Sequence, residues 1–210
     1  MDRCISLTGL AGFLVVIGCT SSFAAETQPG NADTAKDAVP QTVGRQNGRT
    51  IEAAHDAQSM ARQMAEKARD TAKRADALAA SVRKAGACEP ASSRTGLVSI
   101  CSSDGARYYG EMKDGRFDGL GVYVSANGDM VKGEWQQGEA QGLGVTISRN
   151  GYLIQGEMRA GKAAGYGVGI GTFGRYEGQW KDGTWNGPGI ETTEDATFEG
   201  EWRNGALQSH

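Results

Sequence analysis

Small and apolar residues recur at alternating three- and four-residue steps through Ile51, Ala54, Gln58, Ala61, Ala65, Ala68, Ala72, Ala75, Ala79 and Val82. This heptad seam, with Gln58 as its polar member, predicts an amphipathic helix. Alanine and charged side chains propagate helices well. Thr50 offers a cap, and Gly86 with Pro90 stops the run, so the element is placed at residues 51–86. It would be about 50 Å long at the usual rise per residue. A seam made almost entirely of alanine permits close approach but buries little area, with Met60, Met64 and Leu78 beside it supplying bulk. Two readings stay open: self-association as a coiled coil, or a single solvated spacer supported by pairs such as Glu66 with Arg69 and Asp70 with Arg74.

After residue 105 the period changes to two. A large residue, a glycine and a second large residue occupy alternate positions in Tyr108/Gly110/Met112, Val131/Gly133/Trp135, Ile154/Gly156/Met158, Tyr176/Gly178/Trp180 and Phe198/Gly200/Trp202. Alternation puts each trio on one strand face, and the glycine's missing Cβ lets neighbouring rings lie flat against the backbone. The central glycines are spaced 23, 23, 22 and 22 residues apart. Hairpin turns follow at Asp114-Gly115, Asp182-Gly183 and Asn204-Gly205, with return turns at Asn127-Gly128 and Asn150-Gly151. The second strands alternate as well, through Val122/Val124, Val145/Ile147, Val168/Ile170 and Ile190. A fixed period of this kind marks a repeat array. The fold class expected is therefore mainly β: an elongated antiparallel meander of hairpins over 105–210, with four full units and a fifth lacking its second strand.

The stretch "YEGQWKDGTWNGPG", residues 176 to 189, resembles the MORN repeat, whose pattern is Y-x-G-x-W followed by x-x-G-x-x-x-G-x-G. The likeness covers about residues 105 to 205. Val131 and Ile154 depart from its tyrosine, and Met112 and Met158 from its tryptophan. "LVSICSSDGARYY", residues 97 to 109, reads as the preceding unit's return strand within a connector and capping segment at 87–104. The resemblance implies twisted hairpin sheets and a family associated with protein assembly, dimerisation and, in some members, phospholipid binding. It therefore implies a scaffold that binds another protein or itself, without a cofactor or a reaction. Phe117, Tyr123, Tyr166 and Trp185, read as exposed, are candidate contacts together with the open sheet edges. Packing over glycines within the sheet is their other reading. A carbohydrate- or lipid-binding module stacking its ligand on these aromatic rungs is the alternative function.

The remaining segments change the setting. Residues 1–25 read as an export signal, with Arg3 before an apolar core from Ile5 to Ile17. "VIGC", residues 16 to 19, resembles a bacterial lipobox that would make Cys19 a lipidated first residue, whereas "SFA", residues 22 to 24, suits the ordinary signal peptidase. The Ser/Thr-rich stretch after Cys19 favours the lipobox, hence an outer-membrane lipoprotein over a soluble periplasmic or secreted protein. Residues 26–50, with Pro29, Pro40 and few large apolar residues, read as a flexible linker. In an exported chain Cys88 and Cys101 are expected to form a disulfide.

Between residues 102 and 210 there are ten Lys/Arg and fifteen Asp/Glu, a net charge of minus five. That balance disfavours nucleic acid and anionic lipid as partners, leaving membrane attachment to a lipid on Cys19. "GIGTFG", residues 169 to 174, satisfies a dinucleotide fingerprint literally, but a repeat strand follows where that motif needs a helix. The only histidines, His55 and His210, lie on the helix and at the chain's last position, and no metal-ligating pattern is present.

Overall fold

The computed structural model describes residues 8–9, 13–14, 48–85, 88, 95–172 and 174–209. Apart from a two-residue pairing of Thr8–Gly9 with Phe13–Leu14, the expected export signal, Cys19 and the linker up to residue 47 lie outside these residues.

Helix α1 spans Gly48–Ala85, beginning two residues before the expected Thr50 cap. It is followed by β1 (Gly96–Cys101), β2 (Arg107–Lys113), β3 (Arg116–Val124), β4 (Met130–Gln136), β5 (Glu139–Ile147) and β6 (Leu153–Arg159). Then come β7 (Lys162–Gly171), β8 (Gly174–Lys181), β9 (Thr184–Thr192), β10 (Thr197–Arg203) and β11 (Ala206–Leu207). All eleven strands form one antiparallel sheet in chain order. The fold is thus mostly β, a meander of hairpins preceded by one helix. The fifth unit differs from expectation in having a return strand, the two-residue β11.

Turn chemistry closes each hairpin. Asp114, Gln137, Ala160, Asp182 and Asn204 all adopt φ between 49° and 53°, each followed by a glycine of positive φ. Two consecutive left-handed residues match the strand twist. Gln137 and Ala160 hold a backbone that asparagine and aspartate adopt more readily.

The repeat glycines form one continuous row. Gly110, Gly121, Gly133, Gly144, Gly156, Gly167, Gly178, Gly189 and Gly200 are successive register partners from β2 to β10. A Cβ on Gly110 would lie 2.5 Å from the Gly121 Cα, and one on Gly178 would lie 2.5 Å from the Gly189 Cα. Neighbouring backbones therefore approach through a trough that side chains would block.

Helix α1 lies across the other face and touches every strand from β1 to β10. Its seam is against the sheet: Ala54, Ala61, Ala65, Ala68, Ala75 and Ala79 are at most 1% exposed. Ala75 and Ala79 pack with Tyr109 and Val122, Ala68 and Ala72 with Val145, and Ala61 and Ala65 with Val168. This corrects both readings of the seam, since it is covered neither by a second helix nor by water. A pleated face of Val and Ile offers more apolar area than another alanine stripe, and small side chains let the helix approach it closely. The helix runs against the repeat order, so its C-terminal end reaches β1 through a short connector.

Candidate functional site: two faces of one sheet

On the face opposite α1, aromatic rings fill the glycine trough in two groups. Tyr108 stacks on Phe117 at 3.7 Å between ring centroids, with Trp135 edge-on to both and Tyr123 beside it. At the other end Tyr176 stacks on Trp185 at 4.4 Å, and Trp180 and Trp202 meet both edge-on. Each mid-repeat indole reaches back one hairpin: Trp135 Nε1 donates to Gly121 O at 3.1 Å, Trp180 to Gly167 O at 3.0 Å and Trp202 to Gly189 O at 3.0 Å. Burial raises the pKa of both stacked phenols, Tyr108 and Tyr176, and their hydroxyls donate to the carbonyls of Glu111 and Gln179. In the two central units Val131/Ala140 and Ile154/Ala163 replace the ring pairs, which divides the face into two aromatic blocks. Met112 and Met158 are buried in the tryptophan position, and Phe198 joins the second block.

The four candidate contacts divide between the two faces of the sheet. Phe117, Tyr123 and Trp185 belong to the aromatic blocks and are half-buried rather than freely exposed. Tyr166 aligns with Leu120 and Leu143, which pack on the helix side, and its hydroxyl accepts a bond from Gln179 Nε2 at 2.8 Å. Of the large hydrophobics among the described residues, Leu97 on the edge strand β1 is 56% exposed and Met60 is 39% exposed.

The helix side carries a polar ladder. His55 Nε2 lies 3.3 Å from Glu199 Oε2. Arg62 donates to both oxygens of Glu177 at 2.9 and 2.8 Å, and Arg69 Nη1 donates to Gln155 Oε1 at 3.0 Å. Lys132 Nζ donates to Asp76 Oδ2 at 2.9 Å, and the Arg83 guanidinium sits 4.2 Å from the centre of the Tyr109 ring. Glu177, only 2% exposed, also accepts bonds from Gln58 and Arg175. Burial alone would raise its pKa, but the bonds from Arg62, Arg175 and Gln58 outweigh that and bring it down to about 2. A cleft of about 450 Å³ opens beside this cluster, lined in part by His55, Gln58, Arg62, Arg69 and Arg175.

Sequence reasoning missed a second repeated device. In each of the first four hairpins, three residues of the second strand oppose one residue of the first, for example Asp118, Gly119 and Leu120 opposite Glu111. Gly119, Gly142, Gly165 and Gly187 have positive φ there. The carboxylates of Glu111, Glu134 and Glu157 fold over the bulge and accept the N–H of Leu120 at 2.5 Å, Leu143 at 2.8 Å and Tyr166 at 2.6 Å. The fourth unit has Pro188 at the donor position, which has no N–H, and there Gln179 replaces the glutamate. That paired exception was visible in the sequence.

Cys88 and Cys101 are joined by a disulfide, which ties the chain just beyond α1 to β1. In "GIGTFG" residues 169–171 end β7 and Gly174 begins β8, which pairs antiparallel with β7 through Gly174 and Gly171, so a strand follows where the fingerprint needs a helix. His210 lies outside the described residues.

A sheet that repeats one hairpin, with one face closed by the chain's own helix, defines a repeat-built binding module. The MORN repeat family matches residues 108–130, 132–151, 155–168, 176–195 and 198–210. The chain belongs to the MORN repeat proteins. No curated protein shows a significant match to it.

Proposed function

We propose that this protein is a non-enzymatic scaffold of the bacterial cell envelope that binds a protein partner, or a second copy of itself, through the aromatic face of its MORN sheet. The observation that carries the reading is the asymmetry of coverage: α1 spans β1 to β10 on one face, which leaves the face of Phe117, Tyr123 and Trp185 open. Half-buried aromatics held rigidly by their neighbours are favourable anchors, because little side-chain freedom remains to be lost on binding. Stacking on a sugar or lipid would require free ring faces, and one face of Phe117 and one of Trp185 already rest on Tyr108 and Tyr176.

A photo-crosslinking residue at position 123 in the full chain, expressed in its own envelope, tests the proposal. Position 67, on the outer side of α1, serves as the control. A discrete protein adduct from position 123 and none from position 67 is expected. Equal labelling at both positions would count against the aromatic face. The envelope setting rests on the export signal and on a lipid at Cys19, and membrane fractionation of Cys19→Ala decides the latter: unchanged fractionation removes the lipid anchor from the proposal.

A further inference from the structure

The polar ladder between α1 and the sheet is a matched pair of periods. On the helix His55, Arg62, Arg69, Asp76 and Arg83 are separated by seven residues each. Their partners Glu199, Glu177, Gln155, Lys132 and Tyr109 are separated by 22, 22, 23 and 23, and each immediately precedes a glycine of the row. One heptad rises about 10.5 Å along a helix, and one hairpin is about 9.6 Å wide at the usual strand spacing. Each heptad therefore lies over one repeat.

Such a match brings an ambiguity. Sliding α1 by one heptad puts alanine where alanine was along most of the seam, so the apolar contacts barely select a register. The polar residues do. Slipped in one direction, Arg69 comes to Lys132 and Asp76 to Tyr109. Slipped in the other, Arg83 comes to Lys132 and Asp76 to Gln155. Both slips set a guanidinium against the one lysine of the ladder, and both take Asp76 away from it. We propose that Asp76 and Lys132, the pair of inverted polarity in a ladder whose other central helix positions are arginines, are the register key that makes this face specific for the chain's own helix. Lys132 is largely buried and Asp76 half-exposed, at 19% and 49% side-chain exposure, so a wrong neighbour at Lys132 would be poorly screened. A single polar residue sets the register of otherwise degenerate apolar seams in the same way. The pair also denies this face to a foreign alanine-seam helix whose charge pattern lacks the inversion.

The test reads register directly in the full chain. A photo-crosslinking residue at position 63, beside the cleft, is mapped by mass spectrometry. The disulfide is left intact in one series and removed by Cys88→Ser with Cys101→Ser in a second, so that the tether cannot mask a slip. Wild type is expected to label one strand position. Lys132→Glu, which repels Asp76 and attracts the arginine brought by either slip, should add a second site 22 or 23 residues away. Reversing the pair with Asp76→Arg and Lys132→Glu restores the local attraction but offers the new carboxylate an arginine in every register, so the second site should persist, which separates a register key from an ordinary ion pair. If Lys132→Glu alone does not fold, Lys132→Ala decides, and a minor slipped product is expected from it. A single unshifted site in the folded Lys132 variant, or a single site in the reversed pair, overturns the proposal.

Discussion

The two faces of this sheet solve one problem in different ways. A single sheet needs a second layer to bury its apolar surface. On one side that layer is α1, whose alanines approach the Val122, Val145 and Val168 row while arginines and Asp76 ride at the rim. On the other side the sheet makes its own layer, by laying tyrosine, phenylalanine and tryptophan rings into a glycine trough and locking the indoles to glycine carbonyls. Small residues therefore appear on both sides for opposite reasons. On the helix they admit another element, and in the trough they admit the sheet's own side chains. A face sealed by its own rings can present them to a partner without exposing an unfilled groove, whereas a face sealed by a helix is closed.

The comparison is broken most severely on the aromatic side. Trp180→Ala removes a ring packed against Tyr176 and Trp185 and the donor to Gly167. Large-to-small core changes of this kind cost about 3–5 kcal/mol, and urea unfolding is the measure. Ala65→Leu on the seam should cost less, about 1–3 kcal/mol through overpacking. Near-UV circular dichroism should keep its aromatic signal in the Ala65 variant and lose much of it in the Trp180 variant; the same loss in both would mean the two faces are not separate layers.

Glu177 sharpens the contrast on the helix side. Its Arg62 and Arg175 partners are partly solvated, so Glu177→Gln should cost about 1–2 kcal/mol through weakened charged hydrogen bonds. The carboxyl is held at about 2, below its ordinary 4.5. Its stabilisation is therefore complete above about 4.5 and is lost as pH falls through about 2. Acid titration of stability between those values should be shallower in Glu177→Gln than in wild type, and identical profiles would remove Glu177 from the acid response. The smallest effect is expected away from both faces. Ala160, left-handed at φ 49°, should gain about 0.5 kcal/mol as Ala160→Asn, because asparagine tolerates that conformation; a lower melting temperature would contradict the turn assignment.

Much of the sheet was legible because its rules are local. Glycine between two large residues, Asp-Gly and Asn-Gly turns, and alternating valines act within one hairpin, and the resulting order of strands followed from the repeat. The bulge glutamates were less legible, since the bond from Leu120 to Glu111 has meaning only once three residues are seen to oppose one. Tyr166 was grouped with the wrong rings for a related reason: its position in the unit is that of Leu120 and Leu143, and the bulge, not aromatic character, sets its side of the sheet.

By itself the sequence determined a helix with one small-residue face and a row of hairpins with a glycine spine, because backbone propensity, side-chain period and turn geometry are properties of neighbouring residues. What the seam would meet was decided only in the tertiary structure. An alanine stripe specifies closeness of approach and leaves the identity of its partner open. The contacts that choose the sheet, such as Lys132 with Asp76 and Gln58 with Glu177, join residues 56 and 119 positions apart. They follow from the near equality of a heptad's rise and a hairpin's width, which no short stretch of the chain contains.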